Sequence, residues 1–315
     1  YVTHDQCIDT ISKLPTLYGE PFADSSQIPT FLLSELTKKD VTVALSGDAG
    51  DELFCGYNRY NIADNFWNKI SFIPTSLRKQ FAAVLSNIPA NFWDNISSLI
   101  TKSPSMLLSD KIAKGSDVLS SLSVDDLYFK LISINSNPLS YLINSSEPQT
   151  KITKDNSHLD ILSSKEKMML LDLISYLPDD ILVKVDRASM GVSLETRVPL
   201  LDPDVVEFAL KTPLNYKIRN GKSKAVLRDI LFKHVPKNLI ERPKMGFGVP
   251  LDQWLRGPLR PWVEEMLSTE RLKNEGFFNV SMVRELWQEH LDYKKNSSAK
   301  LWGILMFQAW YLEQL

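Results

Sequence analysis

A short β-branched run, Val41-Thr42-Val43-Ala44-Leu45, breaks off into Ser46-Gly47-Asp48-Ala49-Gly50-Asp51-Glu52, after which Leu53 and Phe54 resume a helical apolar pattern. A strand with so little polarity is of the kind buried on both faces of a parallel sheet. The passage from strand through loop to helix commits the chain to an α/β architecture, in which ligands bind at the carboxyl ends of the strands. Two helices are expected ahead of it: Thr3-His4-Asp5-Gln6 fits a capping box, and Ser26 followed by Pro29, Leu32, Leu33 and Leu36 marks a second start. Residues 61–152 read as helical and loop-rich, punctuated by prolines and serving mainly packing. Ser163 with Glu166 caps a helix running to Tyr176, Pro178 opens another over 179–191, and Asp202-Pro203 begins a third. Beyond these, 223–233 reads as helix, 241–250 as a Gly- and Pro-containing loop, and 281–294 and 298–315 as closing helices.

With 315 residues, 43% of them apolar, the chain can build one large domain or two closely packed ones. Its 36 Lys and Arg against 38 Asp and Glu leave no overall field for nucleic acid or an anionic membrane. A polyanionic ligand must therefore be met locally. Cys7 and Cys55 lack disulfide or zinc spacing, as do the scattered His4, His158, His234 and His290, which suits a reducing, cytoplasmic setting. The apolar stretch 301–312, interrupted by Gln308, is well short of the ~18 to 20 residues of a membrane span and reads as a buried helix. Residue 1 is Tyr and no targeting signal follows, so an upstream segment is expected to have been removed.

Three segments hold the candidate chemistry. The loop 46–52 opens a helix, whose backbone N–H groups favour an anion, but Asp48, Asp51 and Glu52 would repel a triphosphate unless Mg²⁺ bridged them. An Asp-capped helix with acids complementing its dipole explains the loop equally well. Asp180, Lys184 and Arg187 lie at i, i+4 and i+7 along one helical face, beside the apolar stripe Ile181, Val185, Ala188 and Val192. Spacing alone favours a solvated ion-pair ladder. Glu195 and Arg197 follow in a β-branched, apolar stretch, where they are expected as buried structural charges in need of partners. Arg242-Pro243-Lys244-Met245-Gly246-Phe247-Gly248 offers a compact ammonium for a phosphate oxygen, or simply a solvated lysine on a surface loop. Gly221-Lys222-Ser223 mimics the end of a Walker loop, but Tyr216 stands where its first glycine should be.

Taken in order, these segments resemble the asparagine synthetase family, whose synthetase domain carries an acidic Ser-Gly-acid loop, an Asp-Arg-x-Ser-Met helix and a Glu-x-Arg-x-Pro turn. Here they are Ser46 to Tyr57, Asp186-Arg187-Ala188-Ser189-Met190, and Glu195-Thr196-Arg197-Val198-Pro199. The Lys244 loop and Gly221-Lys222-Ser223-Lys224 extend the match over most of 16–255.

The resemblance implies a helix-rich α/β fold of the adenine nucleotide α-hydrolase (PP-loop) type, with a small parallel sheet. Its first strands and its PP-loop, Ser-Gly-Gly-x-Asp-Ser, are missing from this sequence. Residues 1–315 would be the C-terminal part of a synthetase domain: 1–60 the strand and acidic nucleotide loop, 61–157 a helical insertion, 158–315 a helical part with the catalytic lysine loop. The implied reaction joins aspartate and ammonia with ATP and Mg²⁺, through β-aspartyl-AMP, to give asparagine, AMP and pyrophosphate. By position, Ser46, Gly47, Asp48, Asp51, Glu52, Lys184 and Arg187 would hold the nucleotide, and Asp51 the Mg²⁺. Lys244 would stabilise the leaving phosphates. Tyr57 and Asp180 align with a tyrosine and an acid that pair as a base in the related β-lactam synthetases. Ammonia would come from a glutaminase domain fused at the N-terminus. The alternatives are amidation of another carboxylate, such as a sugar acid, a peptide or a β-lactam precursor, and a non-catalytic helical scaffold. Asp24-Ser25-Ser26 is the expected place for acceptor selectivity, and the fragment alone is expected to be inactive.

Overall fold

The computed structural model describes residues 4–88, 108–135, 137–241 and 248–315. The chain divides into two compact units, Tyr1–Glu20 with Asp24–Ile62 and Gln149–Val249, and Pro21–Ala23 with Ala63–Pro148 and Pro250–Leu315. Residues 158–249 thus belong to the first and 250–315 to the second.

In the first unit, helices His4–Ile11, Leu14–Tyr18 and Gln27–Lys38 lead into strand β1, Val43–Leu45. Strand β2, Glu195–Arg197, pairs with it in parallel, with Val43 opposite Glu195 and Leu45 opposite Arg197. The Ser46 amide continues the ladder by donating to the Arg197 carbonyl at 2.8 Å. A parallel pair needs a long crossover, which the intervening helices supply.

β1 is not buried on both faces: Val43 is 39% and Leu45 73% exposed, because among the described residues the sheet has two strands and neither face is fully covered. Glu195 and Arg197 are paired as expected, Nε to Oε1 at 2.8 Å, but both are exposed. They alternate outward from the same uncovered strand, with Thr196 half-buried between them. Ser26 does not cap its helix through its side chain. Asp24 organises that entry instead, its two carboxylate oxygens accepting from the Ser26 amide and hydroxyl at 2.9 and 2.7 Å. Thr3 of the other capping box lies outside the described residues.

Ser163 and Glu166 do form a capping box, which opens helix Ser164–Ile174. The segment after it starts as a single π-turn, Leu177–Ile181, before becoming the α-helix Leu182–Met190. Such turns often mark functional sites, since the wider ring re-aims side chains, and this one carries Asp180. Ala49, Leu53, Phe54, Leu177 and Ala209 form a buried cluster that fixes the acidic loop against the π-turn and helix Pro203–Lys211.

The second unit is helical. Trp254, Leu255, Val263, Trp287, Leu301 and Trp302 are buried among its C-terminal helices. The last helix, Ser298–Leu312, is a core element as its apolar composition requires. No helix among the described residues is long and apolar enough to cross a membrane.

Candidate functional site

The acidic loop reverses the chain within a few residues, which requires unusual backbone angles. Ala49 has φ 65° and Cys55 φ 55°, so both occupy the left-handed region that favours glycine. Small side chains at these points keep the strain tolerable. Helix Gly50–Leu53 then carries Asp51 and Glu52 in its first turn, where acids complement the helix dipole.

Asp51 meets Lys224, whose Nζ lies 2.8 Å from its Oδ2. Lys224 stands at the start of helix Ala225–Leu231 with φ 57°, its amide donating to the Phe54 carbonyl at 3.2 Å. Gly56 is dictated by this pair, because a Cβ there would collide with the Asp51 carboxylate and the Lys224 side chain. On the other side of the loop, the Ser46 hydroxyl donates to Asp48 Oδ2 at 2.8 Å, and Gly47 is exposed.

Glu52 points inward. It is buried, which pushes its carboxyl above the usual range against the hydrogen bond it accepts from the Tyr57 hydroxyl at 2.8 Å. Burial, reinforced by the charge of Glu52, also raises the Tyr57 phenol. The Arg59 guanidinium lies 3.9 Å from the Tyr57 ring and 4.8 Å from that of Tyr176, within cation–π range. It donates to Asp172 from Nη2 at 2.6 Å and Nε at 3.2 Å, and Tyr60 donates to the same carboxylate oxygen.

Asp180 and Lys184 sit in a third group with Asp24. Lys184 Nζ is 2.6 Å from Asp24 Oδ2 but 3.8 Å from Asp180 Oδ1. Tyr18 holds the same turn by donating to the Lys184 carbonyl at 3.1 Å. Burial raises the Asp180 carboxyl to about 6, with the Asp24 charge adding to the rise and Lys184 opposing it. For Asp24, burial also pushes upward, but Lys184 and Ser26 outweigh it and its carboxyl lies below the ordinary value.

The sequence-derived residues are therefore brought together unevenly. Tyr57 has Glu52 as its hydrogen-bond partner, while Asp180 sits with Lys184 and Asp24. Arg187, one turn further along, is exposed. Lys244 lies outside the described residues. The groups are nonetheless linked electrostatically: Tyr176 feels Asp180, Asp24, Arg59 and Asp172, and Glu52 feels Asp51 and Asp172. Arg59, Tyr60, Asp172 and Tyr176 were not singled out from sequence, although Asp172 left a signal. It is a lone carboxylate in the apolar run Met168-Met169-Leu170-Leu171-Asp172-Leu173-Ile174, and a buried charge needs a partner.

The asparagine synthase family model matches residues 1–312. The chain belongs to the asparagine synthase family. Among its relatives, asparagine synthetase [glutamine-hydrolyzing] 1 of Bacillus subtilis is 31% identical over 310 residues, covering 98% of this chain and 46% of that protein. A Mycobacterium tuberculosis relative is 28% identical over 324 residues, covering 98% and 45%. The protein named amidase chry2 of Gibberella zeae is 23% identical over 308 residues, covering 92% and 44%. The chain thus spans less than half the length of these members of the family.

Proposed function

We propose that the chain is the amide-forming part of an ATP-dependent carbon–nitrogen ligase, and that its substrates are aspartate, ammonia and ATP. A carboxylate oxygen of aspartate attacks the α-phosphorus, and pyrophosphate leaves. Ammonia then bonds to the acyl carbon, the carbon–oxygen bond breaks, and AMP departs with that oxygen. The reading is carried by one observation: Asp51–Lys224, Tyr57–Glu52 and Asp24–Lys184–Asp180 are paired groups of the same unit, the one that contains the acidic loop after β1. Family membership supplies the class of chemistry.

In this proposal Ser46, Gly47, Asp48, Asp51, Glu52, Lys184 and Arg187 serve the nucleotide and acyl-adenylate, and Lys244 the leaving phosphates. Among the described residues no group of three or more His, Cys, Asp and Glu could cage a metal. A single carboxylate such as Asp51 suits Mg²⁺ that arrives with phosphate oxygens completing its shell. The ion would neutralise the pyrophosphate as it leaves. Lys224, which holds Asp51 in the structure, is placed to turn to a phosphate oxygen instead. The fold would be the PP-loop synthetase type, with the PP-loop and a glutaminase domain supplied by the longer protein.

A second reading within the same family is amidation of a carboxylate other than aspartate. Pyrophosphate release by the whole protein with ATP and a panel of acids separates the two. Release with aspartate supports asparagine formation, release with a different acid only supports the second, and release with none favours a non-catalytic scaffold.

A further inference from the structure

Two carboxylates share one lysine in this site, and the lysine is not shared evenly. Lys184 Nζ sits at 2.6 Å from Asp24 and at 3.8 Å, beyond hydrogen-bond reach, from Asp180 Oδ1. That Asp180 oxygen is buried and accepts no hydrogen bond from the described residues. A buried acceptor without a donor is costly, and the donor that would relieve it is a short distance away. What keeps the donor away is Asp24, itself fixed by the Ser26 amide and hydroxyl. Tyr18 fixes the backbone of Lys184. Among the described residues, the charged and titratable groups that act on Asp180 are Tyr18 from helix Leu14–Tyr18, Asp24 ahead of helix Gln27–Lys38, Tyr176 ahead of the π-turn, and Lys184 on the next turn.

We propose that Asp24 is a positioning residue for amide formation: by holding Lys184 to itself it leaves an Asp180 carboxyl oxygen for the N–H group of the incoming amine. This rests on the amide-forming reading above. The Asp180 side chain keeps 31% of its surface exposed, enough for a small amine to reach the carboxyl after a turn about its Cβ–Cγ bond. As the amine nitrogen bonds to the acyl carbon and the bond to AMP breaks, the nitrogen holds one proton too many. Ionised Asp180 accepts that proton, while Lys184 stays neutralised by Asp24.

The test compares wild type with Asp24→Asn in the whole protein. Loss of the Asp24 charge frees Lys184 to engage Asp180, so the carboxyl titrates at lower pH. The acidic limb of the kcat/KM profile for ammonia, expected near pH 6 in wild type, should move to lower pH. At pH 8, kcat/KM for ammonia should fall about ten-fold, part of the ~10²- to 10⁴-fold that proton transfer contributes. ATP–pyrophosphate exchange driven by the carboxylate substrate, in which no amine takes part, should fall by less than the use of ammonia. Titration of the Asp180 carboxyl carbon by ¹³C NMR in the unliganded protein gives the same shift without turnover and shows that the variant is folded. An unmoved limb and an unmoved carboxyl titration overturn the positioning role, as does an exchange rate that falls in step with ammonia use. Absence of exchange with every carboxylate in wild type overturns the amide-forming reading itself, and this inference with it.

Discussion

Asp172 has 0% side-chain exposure, so its stability contribution depends on Arg59 and Tyr60 reaching it. Asp172→Ala leaves a half-buried guanidinium and a buried phenol without their acceptor. Breaking one partner of such a pair costs about 3–5 kcal/mol, a loss that urea unfolding would register directly. Asp180 behaves in the opposite sense. Its folded carboxyl titrates at about 6 against an ordinary 3.8, so the folded state binds more protons between these values. Its contribution is full below pH 3.8 and is lost as pH rises through 6. Asp180→Asn should therefore be more stable than wild type at pH 8, by about 1–3 kcal/mol at 1.36 kcal/mol per pH unit, and should lose amide formation. A lower melting temperature at pH 8 would contradict this sign. The residues differ in how far they could be read in advance. Asp51, Lys184 and Asp180 stand in recognisable spacing, whereas Arg59 and Tyr176 matter only because folding brings Arg59 to Asp172 and Tyr176 to Tyr57, each across more than a hundred residues.

At the scale of elements, the loop after β1 is a tight reversal whose shape depends on small residues. Gly56 lies against both members of the Asp51–Lys224 pair. Gly56→Ala should separate them and weaken use of Mg-ATP, raising its KM, while the neighbouring core of Leu53 and Phe54 keeps the protein folded. An unchanged KM would show that the pair does not govern nucleotide use. The strand and the helix after Ser163 were legible because β-branching and a capping box are local signals. The exposure of β1 was not, because apolar composition reports what a strand tolerates and not what covers it. Neither was the π-turn at Leu177–Ile181, which arises where Pro178 and the packing of Leu177 meet at the end of a helix.

For the molecule as a whole, the second unit should limit acid stability. His290 is buried, and that burial, with Arg256 nearby, lowers its imidazole to about 4 from an ordinary 6.5. The unfolded chain therefore binds the proton first, so stability is present above pH 6.5 and is lost as pH falls towards 4. Denaturant midpoints for wild type should drop more steeply over that window than those of His290→Asn; parallel slopes would contradict it. The chain covers 46% of the length of its Bacillus subtilis relative. In the proposed reaction an oxygen of the acceptor carboxylate attacks ATP and leaves with AMP. This transfer is tested most directly by supplying the whole protein with ATP, ammonia and aspartate labelled with ¹⁸O in its side-chain carboxylate. The account predicts one ¹⁸O in the phosphate of the AMP formed, whereas turnover that yields unlabelled AMP, or ADP and phosphate in its place, would contradict it.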